Sequence, residues 1–212
     1  MAKPRTSYTC NVCGSQFPQW AGQCGECGNW NTLVEGVAAP AAPTRFAGYS
    51  GGRGGLVTPL ADVRPDAHVR SSVGLAELDR VLGGGLVAGS VVLLGGDPGI
   101  GKSTLLLQVL AALAGDLASL YVTGEESLEQ ISLRARRLGI DGRAIRLYSE
   151  TAVERIITTA QRERPQVMVL DSIQTLYTEA LQSAPGSVAQ VRESAAQLVR
   201  FAKQSGIAMF LV

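Results

Sequence analysis

Gly96-Asp97-Pro98-Gly99-Ile100-Gly101-Lys102-Ser103 matches the spacing G-x-x-x-x-G-K-[ST] in full, and Thr104 follows. Glycines at these intervals let the chain curl so that successive backbone N–H groups point at phosphate oxygens. A helix starting near Lys102 adds its positive end to the same spot. In such a loop Lys102 reaches the β- and γ-phosphates of ATP, and the Ser103 hydroxyl ligates Mg²⁺. A chance glycine loop is the plainer reading. The context argues against it, because an apolar strand is expected just before the loop and a helix just after it.

A P-loop needs an acidic partner. Val167-Met168-Val169-Leu170-Asp171 reads as a buried strand that ends in a carboxylate, at the edge where ligands bind in open α/β sheets. Asp171 is the candidate for holding Mg²⁺ through water. A turn or capping aspartate ahead of Ser172 is the alternative. Glu125 and Glu126 follow the strand Leu120-Tyr121-Val122-Thr123, with only Gly124 between. A carboxylate there would polarise water. Glu125 is expected as the main base and Glu126 as its helper. Acid ahead of Ser127 also suits a helix N-terminus, so the two could divide the roles.

Cys10-x2-Cys13 and Cys24-x2-Cys27 form two knuckles with ten residues between the pairs. Two thiolates on each tight turn complete a tetrahedral Zn²⁺ site. Gly14, Gly25 and Gly28 are the small residues such turns use, and a two-strand hairpin fits the short connection. Two disulfides or four unrelated thiols are the alternatives. All four cysteines lie in the first 27 residues, which in a reducing compartment suggests metal. Four sulfur ligands leave no open position, so the zinc is expected to be structural. Trp20 and Trp30 are expected to cover this small core, and stacking on a base is their other use.

These residues need a scaffold. Val91-Val92-Leu93-Leu94 precedes the P-loop, and residues 103–114 read as the helix after it. Strands are expected at Leu117–Thr123, Ala144–Tyr148, Gln166–Leu170 and Ile207–Val212. Ser127 with Gln130 opens one helix, which Gly139 closes, and Thr151 with Glu154 repeats the capping box before the next. Ser187 with Gln190 opens a last long helix, which Gly206 ends. Apolar strands separated by helices mean a mostly parallel sheet covered on both faces. The expected division is a zinc ribbon at 1–36, a flexible linker at 37–70 and an α/β ATPase core at 71–212. The linker is rich in Ala, Gly and Pro; its arginines Arg45, Arg53, Arg64 and Arg70 read as solvated charge, and its His68 stands outside any motif. Of the 212 residues 46% are hydrophobic, enough for a core, while 17% are charged and the net charge is +1. That balance announces neither nucleic acid nor a membrane, and any DNA contact must be a local patch. No apolar run reaches ~18 residues and no signal-peptide core follows Lys3 and Arg5, so a cytoplasmic protein is expected.

The cysteine knuckles, Gly74-Leu75-x-x-Leu78-Asp79-Arg80-Val81-Leu82-Gly83-Gly84-Gly85-Leu86, the P-loop and Val122-Thr123-Gly124-Glu125-Glu126-Ser127 together resemble the bacterial RadA (Sms) DNA repair proteins. The resemblance runs from about residue 6 to the end. It implies a zinc finger, a RecA-like ATPase core and a C-terminal domain similar to Lon protease. It implies binding of single-stranded DNA, ring-shaped homohexamers when full length, and branch migration of recombination intermediates, with a RecA-type recombinase as a further partner. The family's P-loop Lys and Ser/Thr fall on Lys102, Ser103 and Thr104. Its Walker B aspartate falls on Asp171 and its catalytic glutamate, by similarity to RecA, on Glu125. A DNA-facing loop would fall at Tyr177–Ser187, which holds no Lys or Arg. The family's second DNA loop, its Lys-Asn-Arg-Phe-Gly motif and its Lon-like domain are missing, so a fragment is expected.

Two other functions fit parts of the pattern. A small-molecule P-loop kinase with a zinc-stabilised lid would need phosphate-clamping arginines. Arg134, Arg136 and Arg137 are the nearest cluster, and a helix with its apolar face at Ile131, Leu133 and Leu138 explains them as solvated charge. A module that merely binds ATP would not need Glu125 and Asp171.

Overall fold

The structure, a computed structural model, describes residues 6–37, 59–62 and 69–212. The expectations for Arg45, Arg53, Arg64 and His68 lie outside the described residues. The chain divides into two compact units, one within residues 1–47 and one from residue 48 on.

The first unit is a three-stranded antiparallel sheet of β1 (Thr6–Cys10), β2 (Gln16–Phe17) and β3 (Leu33–Val37), in the order β2-β1-β3. A two-strand hairpin was expected. The third strand returns after the second cysteine pair and sets Leu33 opposite Cys10. That placement completes a core of Cys10, Cys24 and Leu33, with Tyr8, Phe17 and Cys27 packed against it. The tryptophans do not cover this core. Trp20 is 57% exposed and Trp30 69% exposed, and both rings lie beside Gly22 instead. The sulfurs and Leu33 already fill the small interior.

The second unit opens with a short antiparallel pair, β4 (Arg70–Ser71) and β5 (Leu86–Val87), on either side of α1 (Ala76–Val81). Asp79 ties this segment together. Its carboxylate accepts from the Val73 N–H at 2.8 Å and from the Ser72 hydroxyl at 2.5 Å. Arg70 Nη1 donates to the Leu82 carbonyl at 2.9 Å and so braces the glycine turn that follows.

The main sheet has five parallel strands: β6 (Val91–Leu93), β7 (Ser119–Thr123), β8 (Ile145–Ser149), β9 (Val167–Asp171) and β10 (Ala208–Leu211). Their order is β6-β10-β9-β7-β8. The helices are α2 (Lys102–Leu113), α3 (Leu128–Arg137), α4 (Val153–Glu163) and α5 (Val188–Ser205). Alternate strand residues feed two cores. Val122, Met168, Leu170 and Met209 pack with Ile156 of α4 and Leu198 of α5. Tyr121, Val169 and Phe210 pack with Leu106 and Leu110 of α2 and Ile131 of α3. Every residue of β7, β9 and β10 is buried, which is why these strands read as unbroken apolar runs rather than alternating ones. Among the described residues no helix is long and apolar enough to cross a membrane.

The helix starts follow the expected caps in two cases of three. Ser127 and Gln130 form the reciprocal box at α3, and Ser187 caps α5. At α4 the expected box of Thr151 and Glu154 does not form. The N-cap is Ala152, without a side-chain cap. Glu150 instead braces the turn before the helix, its Oε1 accepting from the N–H groups of Thr151 at 2.8 Å and Ala152 at 3.0 Å. Glu154 is drawn away to accept from the Thr178 hydroxyl at 2.5 Å. The inner face of α5 carries polar residues as well as apolar ones. Val188 is 75% exposed, and the buried set is Gln190, Ser194, Leu198, Phe201 and Ala202. Gln190 faces inward because it fastens the loop before the helix. Its Oε1 accepts from Thr178 N, and its Nε2 lies within hydrogen-bond reach of the carbonyls of Thr178, Leu181 and Ser183, at 2.9–3.3 Å.

Candidate functional site

The P-loop joins β6 to α2, and Gly101 sits at the helix N-cap with a left-handed backbone. Lys102 folds back over the loop, and its Nζ donates to the carbonyls of Gly96 and Asp97 at 2.8 Å each. At Gly96 φ is 149°, and a Cβ there would come within 2.5 Å of Ile100 Cδ1. The cradle therefore requires glycine at this position.

The acidic residues arrive from the neighbouring strands. The register pairs Thr123, the last residue of β7, with Asp171, the last of β9. Gly124 N–H donates to the Asp171 carbonyl at 3.0 Å and carries the pairing one step past the strand. A side chain at Gly124 would collide with Thr175 Oγ1, so this close approach keeps Glu125 beside the segment after β9. The Ser172 hydroxyl donates to Glu125 Oε2 at 3.4 Å. Thr123 Oγ1 fixes the turn by accepting from the Glu126 N–H at 3.0 Å and donating to the Glu126 carbonyl at 2.8 Å.

The result is an open cleft of about 600 Å³, within the size range of ligand sites. The P-loop residues expected at the site line it, including Lys102, Ser103 and Thr104, except Asp97 and Ile100. Glu125, Glu126 and Asp171 line it as well. Glu125 is exposed at the rim, open to water, whereas Asp171 is 8% exposed.

Two residues at this site escaped the sequence reading. Arg134 lines the cleft and forms an ion pair with Glu126. Its side chain is only 17% exposed, so the solvated-face expectation is wrong for this residue. Leu133, expected on the buried face of α3, is 64% exposed. The helix is rotated so that Ile131 and Arg134 point inward. Glu126 lies before the helix, eight positions from Arg134, so no i,i+3 or i,i+4 spacing marked the pair. Glu126 Oε2 and Arg134 Nη1 have no hydrogen-bond partner among the described residues. Tyr121 is the second. It is 1% exposed, and its hydroxyl donates to Asp171 Oδ2 at 2.5 Å. Burial, reinforced by the Asp171 charge, pushes its pKa well above that of an ordinary phenol. A tyrosine on the same face as Thr123, between the aliphatic Leu120 and Val122, was its only trace.

The oxygen donors suit a hard cation. Asp171 Oδ1 has no hydrogen-bond partner among the described residues, and the Ser103 hydroxyl lines the same cleft. A carboxylate and a hydroxyl beside a phosphate cradle fit Mg²⁺.

The cysteine site is compact. The four sulfurs lie within 4.8 Å of one another. Cys10 Sγ is 3.7 Å from Cys27 Sγ, and Cys13 Sγ is 3.6 Å from Cys24 Sγ. Four Zn–S bonds of ~2.3 Å in a tetrahedron put the sulfurs ~3.8 Å apart; a disulfide needs ~2.05 Å, and all four thiols are free. The knuckles are alike. Gly14 N–H donates to the Cys10 carbonyl and Gly28 N–H to the Cys24 carbonyl, both at 2.9 Å. Gly14 and Gly28 take positive φ, whereas Gly25 does not. Thr32 Oγ1, 3.3 Å from Cys10 Sγ, helps lower that thiol to about 6. The Ser15 hydroxyl lowers Cys13 in the same way. Cys24 is pushed up to about 11: the Cys27 N–H favours its thiolate, but burial and the neighbouring thiols outweigh it. A cation among the sulfurs reverses that balance.

A family model described as an AAA domain matches residues 61–212, and one described as a rubredoxin metal binding domain matches residues 8–35. The chain belongs to the AAA domain family of P-loop proteins, with a four-cysteine zinc ribbon ahead of that domain. Over its full length it is 60% identical to the DNA repair protein RadA of Pseudomonas aeruginosa. It is likewise 50% identical to RadA of Escherichia coli and 47% identical to RadA of Bacillus subtilis. In each case it covers 47% of the relative, so the chain spans about half the length of the curated relatives it matches.

Proposed function

We propose that this chain binds ATP·Mg²⁺ and hydrolyses it as the ATPase part of a DNA repair protein. The observation that carries this reading is the single cleft shared by Lys102, Ser103, Asp171 and Glu125 at the C-terminal edge of the sheet. Lys102 exchanges its two loop carbonyls for phosphate oxygens and offsets their charge. The backbone N–H groups of the loop and of the first turn of α2 hold the phosphates in place. Ser103 and Asp171 hold Mg²⁺, which offsets the negative charge of the phosphates when bound. Glu125, open to solvent at the rim, orients water and takes its proton. Glu126 is held by Arg134 and serves as the anchor of that cation rather than as a second base.

The relatives are DNA repair proteins by name, and the resemblance supports a finer reading. In the full-length protein the ATPase is DNA-dependent, binds single-stranded DNA and branched recombination intermediates, and drives branch migration as a homohexamer in the cytoplasm, with a RecA-type recombinase as partner. ATPase assays with and without single-stranded DNA test the proposal. Phosphate release that requires Mg²⁺ and is lost in Lys102→Ala supports it. Transfer of phosphate to a small-molecule acceptor, or ATP binding without turnover, overturns it.

A further inference from the structure

Asp171 has two carboxylate oxygens, and the structure treats them differently. Oδ2 accepts the Tyr121 hydroxyl proton at 2.5 Å, whereas Oδ1 has no partner among the described residues. Tyr121 comes from the adjacent strand β7, two residues before the end that faces Asp171. It is buried on every side, with Leu106, Leu110, Ile131 and Val169 in the same core. The ring therefore cannot swing away without opening that core. In this setting the hydroxyl serves Oδ2 as a donor.

We propose that Tyr121 is a positioning residue for the divalent cation at Asp171: by occupying Oδ2 and fixing the carboxylate plane, it leaves Oδ1 as the oxygen presented to the metal or its water. The proposal rests on the nucleotide-binding reading above and deepens it. An aspartate at a strand end otherwise rotates about χ2, and a cation would have to order it on binding. Partners that orient metal-binding carboxylates in this way typically affect metal affinity by 10–100-fold. The competing view is that the hydroxyl simply satisfies a buried carboxylate and matters only to folding.

The test is Tyr121→Phe, which removes one oxygen and keeps the ring. Mn²⁺ binding to the nucleotide-loaded protein is followed by electron paramagnetic resonance, and binding of a fluorescent ATP analogue is measured in EDTA. The expected result is a half-saturating Mn²⁺ concentration raised about tenfold, with metal-free nucleotide binding unchanged. A Mn²⁺ affinity within about twofold of the unmodified chain overturns the proposal, whatever happens to thermal stability, because a purely structural role moves only stability. Should the Phe variant not fold, 3-fluorotyrosine at position 121 provides the readout. Its ¹⁹F signal shifts when Mg²⁺ is added to nucleotide-loaded protein, and a signal that stays put overturns the proposal. If the unmodified chain binds no nucleotide, the ATPase reading fails first and this inference falls with it, so the two failures are told apart before any variant is made.

Discussion

Arg134 holds Glu126 in an ion pair at the wall of the cleft, while among the described residues the Glu125 carboxylate, one residue earlier, meets only the Ser172 hydroxyl, at 3.4 Å. The two adjacent carboxylates therefore differ in availability. Glu125→Gln is expected to keep ATP binding and lose turnover by a factor of ~10² or more, as for loss of a positioned base. Glu126→Gln is expected to retain turnover within a few-fold. Single-turnover hydrolysis with parallel nucleotide titrations separates them, and a larger loss in the Glu126 variant reverses the assignment.

Lys102→Ala removes the cation that the loop carbonyls of Gly96 and Asp97 already hold in place. Tight ATP·Mg²⁺ binding should disappear while the fold persists, because the lysine packs on its own loop and not in either core. Calorimetry that finds wild-type affinity in the variant would show that the phosphates bind elsewhere.

Glu150 braces the turn that leads into α4, and its carboxyl is held below the usual glutamate range. Burial alone would raise it, but the N–H groups of Ala152 and Thr151 and the Arg155 charge outweigh burial. A depressed folded pKa means stability that is present at neutral pH and lost as acid takes the pH down through the folded pKa. Glu150→Ala is expected to cost about 1 kcal/mol or more at pH 7, the scale of lost hydrogen bonds to a charged group. The gap between variant and parent in urea unfolding should narrow as the pH falls below the normal glutamate pKa. A gap that is constant with pH would assign the effect to packing.

The ribbon core is Leu33 and the cysteine cluster, of which Cys10 and Cys24 are buried, too little apolar surface to hold a sheet by itself. Purified protein should carry about one zinc per chain. Stripping it with a strong chelator should unfold residues 6–37, seen as collapse of their amide dispersion in NMR spectra. Metal-replete protein with no zinc and with disulfides by mass would overturn the site.

The loop Tyr177–Ser187 has no basic residue, so its hold on a phosphate backbone should be poor. The α5 cation Arg200 is 13% exposed and within 3.6 Å of Glu193, which leaves it unsuited to complete a neighbour's site. Single-stranded DNA should change the ATPase rate of this 212-residue chain by less than about twofold, against ~10³–10⁵ for a trans arginine. A strong, salt-sensitive stimulation would place a working DNA contact within these residues.

The parallel sheet was legible because burial on both faces leaves a run such as Val167–Leu170 without a polar residue, and a P-loop is a contiguous string. Asp171 was legible for the same reason, as the first charge after such a run. Tyr121 and Arg134 were not. Each takes its meaning from a partner outside its own element, Asp171 on β9 or Glu126 before α3, and neither pairing follows a fixed spacing in the sequence. The missed box at Thr151 has a similar cause, since Thr178, 24 residues further on, competes for Glu154. The tryptophans failed on size, because an interior of sulfurs and one leucine has no room for an indole.

Gln190 accepts from the Thr178 N–H and shares its two Nε2 protons among the carbonyls of Thr178, Leu181 and Ser183, though it belongs to the helix that follows. That loop would otherwise be a stretch of free chain, and anything touching it would have to order it at about 0.5–1.5 kcal/mol for each immobilised side chain. With its carbonyls already tethered, the ordering cost is met during folding and not at the moment of contact. A single amide thus sets how much freedom the loop has left to lose, and with it the affinity available to any partner of that face.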